Sequence, residues 1–164
     1  MNEPEFILEI FLKPGEMHWG DTDTRIRTIL GSCVALCLWH PTLKIGGMCH
    51  YLLPSRRVRG SDEPLDGRYG EEAMELLMKE LDKAHTKPKD YHVKMFGGSN
   101  MFSEIVKESN INVGEKNILK ANELMEKHGF KVISKDMGGI EHRSILFDIW
   151  NGDVWLKKPK KEEL

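Results

Sequence analysis

The strongest constraint on the fold is how short the apolar segments are. Phe6–Leu12, Thr24–Leu30, Cys33–Trp39 and Ile45–Leu53 are apolar or alternating runs of seven to nine residues. Each is stopped by a turn signal: Lys13-Pro14-Gly15, Gly31-Ser32, His40-Pro41-Thr42-Leu43 and Pro54. Runs this short and this closely punctuated are strands, so the first third of the chain has to build sheet. Tyr91–Phe96, Phe130–Ser134, Ser144–Trp150 and Val154–Lys157 read as further strands, the last two joined by the hairpin signal Asn151-Gly152-Asp153. Helical spacing occurs in two places. In 69–84, Ala73, Leu76, Leu77, Met78, Leu81 and Ala84 recur on one face; in 117–128, Ile118, Leu119, Ala121, Leu124 and Met125 do so before Gly129 ends the helix. The expectation is an α+β domain with sheets at its centre and both helices covering one side. Residues 55–68, rich in Arg, Gly, Asp and Pro, read as an exposed, mobile loop.

Composition removes several function classes. A chain of 164 residues fits one domain, and a formal charge of −2 lacks the basic surplus of a nucleic-acid binder. No apolar run approaches the ~20 residues of a membrane span, and no basic stretch with an apolar signal core opens the chain, so a cytoplasmic protein is expected. Cys33, Cys37 and Cys49 are odd in number and fit a reducing compartment. Their spacing does not match a zinc pattern, and no metal is expected. The chain ends in a charged tail, 159–164.

The residues able to do chemistry lie around the third and fourth strands. If 40–43 form a four-residue hairpin loop, Trp39 pairs with Lys44, and counting back sets Cys33 opposite His50 on one sheet face. A neighbouring imidazolium stabilises a thiolate and lowers the thiol pKa from ~8.5. It can then protonate a departing amine. Gly31 lets the chain turn and bring backbone N–H groups towards an oxyanion, and Gly46-Gly47 leave space above the sheet for substrate. Thr28 is a candidate to orient the imidazole through its hydroxyl, with Ser32 as competitor. Cys37 and Cys49 have apolar neighbours and read as small buried hydrophobes.

Leu30-Gly31-Ser32-Cys33-Val34-Ala35, Lys44-Ile45-Gly46-Gly47-Met48 and His50-Tyr51-Leu52-Leu53-Pro54 resemble the CheD family, chemoreceptor glutamine deamidases of bacterial and archaeal chemotaxis. The resemblance continues through Arg68-Tyr69, Phe96 to Phe102, Asn112 to Asn117, Asp136-Met137-Gly138-Gly139 and Arg143-Ser144, over about 20–158. It implies one deamidase domain over 1–158, with a β-sandwich-like core of mostly antiparallel strands and peripheral helices. At fold level that domain resembles the cysteine-hydrolase fold of glutamine-deamidating toxins. It further implies hydrolysis of glutamine side chains on methyl-accepting chemotaxis receptors to glutamate and ammonia, without cofactor. Cys33 carries over as nucleophile, His50 as general base and acid, and Thr28 as the upstream threonine. Gly31, Ser32, Ser99 and Asn100 are expected to contact the substrate amide. A CheC-type phosphatase is a further implied partner, with an adaptor role as the alternative function, and the chain is expected to be a monomer.

Overall fold

The central strand explains the architecture. In β4 (Val34–His40) the first five residues are all buried, so it has no solvent face. Val34, Leu36 and Leu38 point into one apolar cluster, while Ala35 and Cys37 point into a second. A continuous apolar run, in place of alternation, marks a strand covered on both sides. The computed structural model, which describes residues 2–101 and 112–159, shows the two coverings.

On one side lies a four-stranded sheet of order β1-β3-β8-β9, formed by β1 (Leu8–Phe11), β3 (Thr24–Leu30), β8 (Arg143–Asp148) and β9 (Val154–Lys157). β4 belongs to a five-stranded sheet of order β2-β5-β4-β6-β7, with β2 (Met17–Gly20), β5 (Ile45–Tyr51), β6 (His92–Gly97) and β7 (Lys131–Met137). Leu12, Ile26, Leu30, Met48, Phe96, Ile145 and Phe147 fill the space between the sheets. Helices α1 (Gly70–Lys83) and α2 (Val113–His128) cover the other side of the five-stranded sheet. Ala73, Met74, Leu77, Leu81, Ala121, Leu124 and Met125 pack there against Leu36, Tyr51 and Val93. The result is an α+β sandwich whose ladders are antiparallel except for β1–β3 and β6–β7. No helix among the described residues is long and apolar enough to cross a membrane.

The structure departs from the sequence expectation in several places. β2 was not anticipated: its four residues are all half-buried, with neither alternation nor a clean apolar run. α2 begins at Val113, not Asn117, because the Asn112 side chain caps it by accepting from the Glu115 N–H at 2.9 Å. Gly129, in the left-handed conformation, stops it as expected. Loop 55–68 is exposed over most of its length but tied down: the Arg56 guanidinium donates to the buried Glu72 carboxylate at 2.8 Å and to Glu63 at 2.6 Å. Phe102 and most of the charged tail, 160–164, lie outside the described residues.

Candidate active site

Thr28 and His50 reach each other from different sheets. In β3, Thr24, Ile26, Thr28 and Leu30 face inward by strict alternation, and Thr28 is fully buried. In β5, His50 pairs with Ala35, whose side chain faces the same inter-sheet space, and His50 is 1% exposed. Thr28 Oγ1 lies 2.7 Å from His50 Nδ1 and 2.7 Å from the Leu12 carbonyl oxygen.

These two distances fix the tautomer. A carbonyl oxygen can only accept, so the single hydroxyl proton of Thr28 goes to Leu12. Thr28 Oγ1 must then accept from His50 Nδ1–H. That leaves Nε2 as a bare lone pair, buried and without a hydrogen-bond partner among the described residues. An imidazole held by one nitrogen with the other unpartnered is arranged to take a proton. Burial also opposes charging of the ring and lowers its pKa to about 4.

The expected direct opposition of Cys33 and His50 is corrected by the register. His40 pairs with Ile45, so the loop is 41–44 and every pair is displaced by two residues from the count based on 40–43. The turn is set by His40 Nδ1, which accepts the N–H groups of Thr42 and Leu43, and by Lys44 at a φ of 56°. Because the displacement is even, the faces are preserved. Cys33 lies two residues before Ala35 and packs on the inter-sheet cluster, on His50's side of the sheet.

The Cys33 thiol is half-buried, and desolvation raises its pKa, with its own backbone N–H acting in the opposite direction. Burial thus favours the neutral thiol and the neutral imidazole at rest. This runs against the expectation of an imidazolium that lowers the thiol pKa, because burial makes charge on the ring costly. Cys37 and Cys49 are buried as expected, with the Cys49 thiol pushed up to about 12.

The Cys33 turn is buttressed from two directions. The Gly98 N–H donates to the Cys33 carbonyl at 2.8 Å, and the Ser99 N–H to the Gly31 carbonyl at 3.0 Å. Gly97 (φ 111°) lies so close to the Cys33 carbonyl that a side chain has no room. Ser99 is thus brought to the site through its main chain; its buried hydroxyl donates to the Glu141 carbonyl and accepts from Arg143 at 2.7 Å. The Asn100 N–H donates to Gly139. Arg143, itself buried, also binds Asp136 and the Gly138 carbonyl, locking 97–99 against 136–139. The space expected above Gly46 and Gly47 is filled by the Leu38 carbonyl and by His18 and Trp19 of β2.

Asn117 was not singled out as a site residue. It sits with Ala121, Leu124 and Met125 on the buried stripe of α2, and a polar side chain on an apolar stripe was the available signal. Its amide nitrogen donates to the carbonyls of Ser32 and Leu52, at 2.9 and 2.8 Å.

The comparisons with known proteins converge on one family. The family described as CheD chemotactic sensory transduction matches residues 52–158. A protein named probable chemoreceptor glutamine deamidase CheD from Pseudomonas syringae pv. tomato is 46% identical over 158 residues, covering 96% of this chain and 93% of the relative. A CheD 3 protein of Dechloromonas aromatica is 42% identical over 96% of this chain and 91% of its own length. A CheD 1 protein of Leptospira interrogans is 39% identical, covering 96% of this chain and 97% of the relative. These relatives span the segment that carries Thr28, Cys33 and His50 as well as the part matched by the family. The chain belongs to the CheD family.

Proposed function

We propose that this chain is a protein-glutamine deamidase acting on chemoreceptors, with Cys33 as nucleophile, His50 as general base and acid, and Thr28 as the group that orients His50. The observation that carries the reading is the Leu12–Thr28–His50 chain of hydrogen bonds, which leaves Nε2 as a buried acceptor on the cysteine's side of the sheet.

The reaction follows from the protonation states. His50 Nε2 takes the Cys33 thiol proton as sulfur attacks the carboxamide carbon of a receptor glutamine. Because both groups rest neutral, proton transfer accompanies C–S bond formation and does not precede it. The oxyanion is met by main-chain N–H groups of the 31–33 turn. Collapse breaks the C–N bond, and Nε2–H protonates the departing amine, which leaves as ammonia. The acyl group remains on Cys33 as a thioester. Water then loses a proton to Nε2 and attacks the thioester carbon. The C–S bond breaks, sulfur recovers its proton, and glutamate is released. Throughout, the Thr28 oxygen stabilises the transient imidazolium through Nδ1–H.

Gly31, Ser32, Ser99 and Asn100 complete the proposal as the loop pair beside Cys33 that receives the side-chain amide, with Ser99 acting through its main chain. A CheC-type phosphatase as partner rests on the family resemblance, and a monomer is the default state for the chain.

The test is peptide mapping and intact mass of a chemoreceptor cytoplasmic domain incubated with the wild type or Cys33→Ala. Glutamine to glutamate adds about 1 Da per site, the difference between NH2 and OH in the hydrolysis described. Gains at discrete sites with wild type and none with the variant are expected. No gain on a receptor that the wild type binds overturns the deamidase reading.

A further inference from the structure

The β4–β5 ladder ends at Val34↔Tyr51, so Cys33 lies just beyond the last paired residue, and the ladder itself does not fix its turn. What holds the turn against the histidine strand is one side chain of α2. Asn117 Nδ2 uses its two protons on the Ser32 carbonyl, adjacent to the nucleophile, and on the Leu52 carbonyl, two residues past His50. The Tyr51 hydroxyl, between His50 and Leu52, donates to the Asn117 carbonyl at 2.5 Å. Asn117 is fully buried, and two acceptors facing its nitrogen exclude the flipped amide.

The grip on Ser32 has a stereochemical consequence. In a trans peptide the C=O and the following N–H point in opposite directions. With the Ser32 carbonyl drawn to Asn117, the Cys33 N–H must point away from α2. That N–H donates to no backbone carbonyl among the described residues, while the carbonyls of Gly31 and Cys33 on either side accept from the Ser99 and Gly98 N–H groups. Its partner is the Cys33 thiol itself, whose charged form it favours, so it stands beside the reacting sulfur.

We infer that Asn117 is a positioning residue that aims the Cys33 backbone N–H at the oxyanion of the reaction by fixing the Ser32–Cys33 peptide plane, while tying that plane to the strand that carries His50. The inference rests on the deamidase reading.

The experiment compares wild type with Asn117→Ala in receptor deamidation and, separately, in alkylation of Cys33 by iodoacetamide. Alkylation displaces iodide from carbon and develops no oxyanion, so it reports the thiol without the donor. The expected result is a kcat lower by about 10- to 100-fold with KM within about threefold, the range for a weakened oxyanion donor. The alkylation rate should stay within about twofold of wild type. Unchanged kcat in a folded variant overturns the inference. So does an equal fall in kcat and alkylation, which would place Asn117 in general packing.

If Asn117→Ala does not fold, Asn117→Asp keeps the shape and loses the donors. Its kcat should be low at pH 8 and recover on acidification, as a protonated carboxyl regains one donor for Ser32, while wild type stays flat. Wild-type activity of Asn117→Asp at pH 8 overturns the inference, and so does failure of both variants to fold. A wild type inactive on a receptor it binds removes the deamidase reading itself. A variant as active as an active wild type removes only the role of Asn117.

Discussion

A single hydroxyl decides what His50 can do. Thr28→Val keeps the shape but leaves the Leu12 carbonyl and the His50 Nδ1–H facing a methyl group. Leaving buried polar groups unpaired costs about 1–3 kcal/mol each. The expected outcome is a loss of stability of that order in urea denaturation, with kcat reduced by about 10- to 100-fold as the ring loses its orientation; Thr28→Ser should retain most of both. The depressed His50 pKa fixes the sign of the pH dependence. In the unfolded chain the ring takes a proton near its ordinary value of 6.5, whereas the folded site resists until about 4. Stability therefore falls as pH is lowered from about 6.5 to about 4 and gains nothing from His50 above that window. Denaturant midpoints from pH 4 to 8 should show the slope, and His50→Gln should flatten it. Because the Cys33 thiol is raised, its alkylation rate should still be climbing above pH 9. A rate already flat at pH 6 would mean a preformed thiolate–imidazolium pair.

At the scale of elements, α2 separates two roles within five residues. Asn112 caps the helix, so Asn112→Ala should cost about 1 kcal/mol and leave kcat unchanged. Five residues on, Asn117 touches the Cys33 turn through the Ser32 carbonyl. Thermal melts set beside kinetics for the two alanine variants resolve the difference. The same helix shows what the sequence could disclose. Its apolar stripe and its Gly129 stop were legible, whereas its start depended on an asparagine whose capping role was not read. In the β4–β5 hairpin, the strands, the turn and the shared face of Cys33 and His50 were legible from spacing. The pairing register was not, because it hangs on His40 folding its ring back over the turn and on Lys44 entering the left-handed region. Neither leaves a periodic trace. Cys33, His50 and Thr28 were named from the hairpin count as well as from motif resemblance; that Thr28 reaches His50 from the opposite sheet, 22 residues away in sequence, is visible only in the tertiary structure.

Over the whole molecule, the two cores give the three thiols different fates. Cys37 and Cys49 are buried in opposite cores of the five-stranded sheet, and Cys33 stands at its rim. The folded protein should therefore react with one equivalent of a disulfide reagent and the denatured protein with three, as counted by released chromophore. Two equivalents in the native state would contradict the packing of β4 and β5. The sandwich also joins structure to chemistry in a less obvious way. His50 belongs to one sheet and Thr28 to the other, so the proposed reaction depends on the gap between layers, and neither layer alone sets that gap. Urea or hydrostatic pressure too mild to melt any strand, yet sufficient to let the layers drift by a bond length, should silence turnover while the far-ultraviolet spectrum is still that of the native protein.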